Sequence, residues 1–113
     1  LDNDKFNLTI KNLRFANESI KYFVEKNLKE NSTISNINEF VILNKNFFLQ
    51  PEEVVFRSLT EVLKSVGKKY YPVRGKKIEK LIYKIKNDNS LMTTLGNCVI
   101  KKVNNSVIVS KER

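Results

Sequence analysis

The side chains in this sequence that could do chemistry are few, and their types narrow what that chemistry can be. The 113 residues include no histidine and a single cysteine, Cys98. This excludes an internal disulfide, a histidine-bearing or multi-cysteine zinc site and a histidine-activated thiol. Cys98 reads instead as a half-buried strand residue in a reducing cytosol. Acid–base work would fall to carboxylates, and the adjacent Glu52 and Glu53 are the first candidates. They follow Pro51, however, and acids at a helix start are held by the positive end of the helix dipole. The twelve acidic residues are otherwise scattered, so no cluster offers oxygen ligands to a metal. The three glycines, Gly67, Gly75 and Gly96, lie too far apart to cradle a phosphate. Neither self-contained catalysis nor a bound cofactor is expected of these residues.

Binding chemistry has more to work with. Residues 1–56 hold seven Lys/Arg against eight Asp/Glu, a balance of −1, whereas residues 57–113 hold fourteen against four, a balance of +10. Between Lys64 and Lys86 there are nine cations and one acid, Glu79. A field concentrated in this way attracts polyanions. Lys68, Lys69, Arg74, Lys76, Lys77, Lys80 and Lys84 can line a phosphate-binding surface. Arg74 can grip a phosphate with two parallel hydrogen bonds, as lysine cannot, or can brace its loop against the end of the chain. Tyr70 and Tyr71 sit among these charges, where an aromatic face either stacks on an unpaired base or plugs the core between two helices.

The elements that position these residues follow from periodicity. Phe6, Ile10, Leu13, Ala16 or Asn17, Ile20, Phe23/Val24 and Leu28 recur at helical spacing, predicting one long helix over about 4–30. Asn31-Ser32-Thr33 reads as a turn. Phe40–Leu43 and Phe47–Leu49 flank Asn44-Lys45-Asn46, which predicts a small hairpin. A second helix starts at Pro51, shows Val55, Leu59, Val62 and Val66 to the core, and stops at Gly67 in the left-handed conformation. A third, over about 76–87, sets Ile78, Leu81, Ile82 and Ile85 against Lys76, Lys80 and Lys84, with Lys77 beside them. Asn97–Val103 and Ser106–Lys111 predict a closing hairpin around Asn104-Asn105, pairing Ile100 with Val109. The expected fold is α+β and mainly helical, a single domain over 1–113 with a helical part to about residue 90 and a terminal hairpin over about 94–112. No stretch approaches the ~20 apolar residues of a membrane span. The start at Leu1-Asp2-Asn3-Asp4 resembles neither an initiator nor a signal peptide, and reads as a piece of something longer.

Three further stretches carry a resemblance. These are Phe48-Leu49-Gln50-Pro51-Glu52-Glu53, Tyr70-Tyr71-Pro72-Val73-Arg74-Gly75-Lys76-Lys77, and Thr94-Leu95-Gly96-Asn97-Cys98-Val99-Ile100 with Lys111-Glu112 closing the hairpin. Together they resemble the region that follows the catalytic domain in tRNA(Ile)-lysidine synthases of the proteobacterial type, over about 65 residues. Asn97 stands where that family usually has a second glycine, a fitting replacement if the position needs positive φ. Lys111 stands where arginine is more usual. The Ser-Gly-Gly-x-Asp-Ser pyrophosphate loop of the family's catalytic domain is not in the sequence. The resemblance implies a cytoplasmic enzyme that adenylates the wobble cytidine of tRNA(Ile) with ATP and attaches lysine. ATP and magnesium then belong to a domain outside this chain, and this piece orients the tRNA. The oligomeric state is left open, a dimeric parent included.

Two other readings compete. Two helices followed by a hairpin also resemble a winged-helix DNA-binding module, although a lysine face lacks the Asn, Gln and Arg that read base edges. Alternatively the lysines only solvate a non-catalytic interaction domain.

Overall fold

The computed structural model describes residues 18–35, 40–68 and 74–112. Among them, three helices and one antiparallel sheet form an α+β unit, and no helix is long and apolar enough to cross a membrane. Helix α1 is described over 18–31, and the earlier part of the expected long helix, with Phe6, Ile10 and Leu13, lies outside the described residues. Of the Phe23/Val24 alternatives, Val24 faces inward and Phe23 is 48% exposed. Val24, Asn27, Leu28 and Asn31 then make the inward line, so half of the buried stripe is amide rather than hydrocarbon.

Those amides are paired. The Asn31 side chain donates to Asn27 Oδ1 at 2.8 Å, and Asn27 Nδ2 reaches both Ser58 Oγ at 3.1 Å and the Phe47 carbonyl at 3.3 Å. A buried polar group left alone costs ~1–3 kcal/mol, and none of the described buried side chains is left without a partner. The ladder ties α1 to the two segments it packs on.

The turn expected at Asn31-Ser32-Thr33 is not one. The helix passes directly into strand β1 (Ser32–Ser35), with Ser32 Oγ donating to the Leu28 carbonyl. Strand β2 (Phe40–Leu43) pairs with β1, not with a strand at 47–49. The expected hairpin around Asn44-Lys45-Asn46 is instead a 3-10 helix, Lys45–Leu49, for which Asn44 serves as N-cap by accepting from the Phe47 N–H at 3.2 Å. The physical reason lies in Phe47 and Phe48. A strand sends successive side chains to opposite faces, whereas here both rings are buried, in an edge-to-face pair 4.9 Å apart.

Helix α2 (Glu52–Gly67) and helix α3 (Gly75–Asn87) form where the apolar spacing predicts. After α3, strands β3 (Leu91–Leu95), β4 (Cys98–Val103) and β5 (Ser106–Lys111) run as an antiparallel meander. Strand β3 is absent from the sequence expectation, and the terminal hairpin is part of a five-stranded sheet ordered β1-β2-β5-β4-β3. The expected pairing of Ile100 with Val109 is present, and both are fully buried, so this is the face that meets the helices. Helix α2 lies across β2, β5 and β4, while α3 covers β3.

The end of α2 differs from the expectation in an instructive way. Gly67 is the last helical residue, and the left-handed position falls on Lys68, at φ 51. Gly67 is required by proximity. A Cβ there would stand 2.0 Å from the Gly96 carbonyl oxygen, so the α2 terminus rests directly on the β3–β4 turn. That turn, Gly96-Asn97, has φ of 59 and 64, the paired positive values of a tight hairpin, and gives Asn97 the role anticipated for it. Cys98 follows, fully buried rather than half-buried, its Sγ 3.4 Å from the Leu63 carbonyl.

Candidate nucleic-acid interface

Helix α3 is built as two opposed faces. Ile78, Leu81, Ile82 and Ile85 are buried, contributing roughly 6–12 kcal/mol of gross burial at ~1.5–3 kcal/mol each. At 100° per residue the outward meridian passes through Lys76, Lys80, Tyr83 and Asn87, with Lys77 and Lys84 on one flank and Glu79 and Lys86 on the other. All eight are exposed. Like charges four residues apart repel by ~0.2–0.5 kcal/mol per pair. The apolar face exceeds that by an order of magnitude, so α3 can hold the stripe Lys76–Lys80–Lys84 in place without help from counter-charges.

The N-terminus of α3 is unusual in its charge. Its first turn carries no acid, and Arg74 precedes it as N-cap with Lys76 and Lys77 following. Cations at the positive end of a helix dipole are unfavourable by ~0.3–1 kcal/mol each, and the free N–H groups there suit an anion. The Arg74 backbone carbonyl accepts from Lys77 and Ile78 at 3.0 and 3.3 Å. Its side chain is exposed. Lys68 stands exposed at the far end of the same connection. Lys69, Tyr70 and Tyr71, the remaining expected site residues, lie outside the described residues.

Tyr83 belongs to the stripe and was not anticipated. It is 70% exposed, three residues from Lys80 and one from Lys84. The signal was available, because an aromatic on the polar meridian of an amphipathic helix has no core to fill. A lysine outside the expected set also bears on α3. Lys102, partly buried on β4, donates to the Ile85 carbonyl and, at 2.8 Å, to the Asp88 carbonyl. It caps the negative end of the helix and fixes its direction on the sheet.

Elsewhere the chemistry is sparse. Glu52 and Glu53 are exposed in the first turn of α2, with Glu53 taken by Arg57 at 2.8 Å. Burial pushes the Cys98 thiol up to about 11, with the Glu112 charge adding to it and a backbone hydrogen bond from Gly67 opposing it. The thiol is therefore protonated at neutral pH and shielded, a poor nucleophile. No group of three or more candidate metal ligands occurs among the described residues. Compared with family models, curated proteins and solved structures, the chain matches none.

Proposed function

We propose that this protein grips the phosphate backbone of a folded RNA through α3, from Arg74 at its N-terminus along Lys76, Lys77, Lys80 and Lys84. The observation that carries the reading is electrostatic. A helix whose first turn has no acid, three cations at its positive end and a ladder of like charges along its outer face pays for that arrangement in the free domain. A polyanion laid on the same face reverses every one of those terms. Arg74 supplies a forked contact to one phosphate, the lysines supply point charges, and Tyr83 offers a ring to a sugar or an unpaired base. Lysines carry little base-edge information, so the face positions RNA without reading its sequence.

With the sequence resemblance taken into account, the RNA we propose is tRNA(Ile). The domain holds it so that the anticodon reaches the active site of a tRNA(Ile)-lysidine synthase catalytic domain. ATP and magnesium would bind in that domain.

Binding to tRNA(Ile), to a second tRNA and to duplex DNA, each at two salt concentrations, tests the proposal. The expected result is a preference for tRNA, a log–log salt slope of order −3 to −4 for about four or five phosphate contacts, and a loss of about tenfold for Arg74→Ala. Equal or tighter binding of duplex DNA would favour the winged-helix reading, and salt-insensitive binding would mean that the lysines only solvate the fold.

A further inference from the structure

At the end of the sheet where β1 stops, β2 begins and β5 ends, a hollow of about 280 Å³ opens against the last turn of α2. Its apolar floor is Ile34, Val41 and Val66, with Phe40 at the edge where β2 begins. Ser65 stands in its wall, Lys68 and Lys111 at its rim, and Ser35 borders it where β1 stops. The register explains how Lys111 comes there. It pairs with Cys98, whose side chain is on the helix-covered side of the sheet, and cross-strand partners share a face. The hollow is separate from the outward face of α3, whose residues do not line it.

We infer that this hollow seats one unpaired nucleotide, the base on the apolar floor and the phosphate between Lys68 and Lys111. The inference rests on the RNA-binding reading and adds a place that distinguishes single-stranded from paired RNA. Its chemistry is specific in three respects. Two ammonium groups at one rim call for an anion, which excludes a neutral apolar ligand. A hydroxyl, that of Ser65, beside a hydrocarbon floor matches the polar edge and flat face of a heterocycle. The volume lies just below the ~300–1,000 Å³ of ordinary small-molecule sites, room for one ring system with its sugar and not for two.

Lys68 supports the same reading from the backbone. It occupies a left-handed conformation, φ 51, that glycine adopts without strain, directly after a glycine that is helical. A strained non-glycine residue at the rim of a hollow points to a use for its side chain.

The whole chain serves for the test. A hairpin RNA with an unpaired loop is compared with the blunt duplex of its stem, using wild type, the double variant Lys68→Gly/Lys111→Ala, and the stripe variant Lys76→Ala/Lys80→Ala/Lys84→Ala. Lys68→Gly relieves strain, so the double variant should melt no lower than wild type. The expected result is a loss of about tenfold on the hairpin and a clearly smaller loss on the duplex, whereas the stripe variant weakens both alike. In parallel, nucleoside 5′-monophosphates should shift the backbone amide resonances of Ile34, Ser65 and Val66 in wild type and in the stripe variant alike. That arm stands even if no RNA binds and the function proposed above fails. Equal losses on hairpin and duplex would overturn the inference, as would identical shifts with inorganic phosphate alone or no shifts with any of the nucleotides.

Discussion

Helices α2 and α3 are neighbours with equally clean apolar faces, yet the charges at their starts are opposite. Helix α2 has Glu52 and Glu53 in its first turn and Lys64 in its last, which suits its dipole at both ends. Helix α3 has the favourable Lys84 and Lys86 at its end but only cations at its start. Helix α2 is also held from several sides, taking Asn27 on Ser58, the Cys98 thiol on Leu63 and the Gly96 carbonyl against Gly67. Helix α3 offers one face to the sheet and keeps the other for solvent or a partner. The difference separates a helix arranged for folding from one whose surface is arranged for something else.

The comparison can be broken most severely at the α2 terminus. Gly67→Ala should cost about 3 kcal/mol in chemical denaturation, because the added methyl meets backbone that cannot step aside. If the midpoint does not move, the contact with the β3–β4 turn is not what holds α2. Asn27→Ala should cost about 2 kcal/mol by the same measurement, leaving the Ser58 hydroxyl and Phe47 carbonyl without their donor. Cys98 adds a pH term of similar order. Its folded value is raised from 9.0 to about 11, so the unfolded chain loses this proton first as pH rises. Stability is full below pH about 9 and should fall progressively toward pH about 11, by order 2 kcal/mol. Cys98→Ala should flatten that descent, whatever its baseline cost.

The sharpest test has the smallest effect on stability. Lys76→Glu should raise the melting free energy by about 0.3–1 kcal/mol, since it puts an acid where the α3 dipole favours one, while reducing the salt slope for RNA by about 1. Glu52→Gln in α2 should lower stability by a few tenths of a kcal/mol and leave RNA affinity unchanged. Should both substitutions lower stability, the opposition between the helices would lose its physical basis.

The parts legible in the sequence are those that repeat with a period. The two helices, the pairing of Ile100 with Val109 and the lysine stripe all follow from spacing alone. What escaped lacks a period or admits two local meanings. Ser32–Ser35 is too polar to announce a strand and becomes one because β2 lies beside it. Asn44 serves equally well in a hairpin turn and as a helix cap, and only the burial of both Phe47 and Phe48 decides between them. Lys111 is an ordinary surface lysine until the register of β5 turns it toward the α2 terminus. Tyr83, by contrast, was readable, and counting only aliphatic and lysine positions on α3 left it out.

The strand order has a kinetic meaning. The middle of the sheet is β5, flanked by β2 from some sixty residues earlier and by β4. On a ribosome, β1 and β2 emerge as a two-stranded ribbon, marginal in water by itself, and the edge of β2 that β5 takes stays open until β5 has been made. Their closure then requires a long loop to be formed in one step, which slows folding compared with a protein of local contacts. Loss of Ser106–Lys111 would not trim an edge. It would divide the sheet into two pieces, neither of which has a partner for its exposed side.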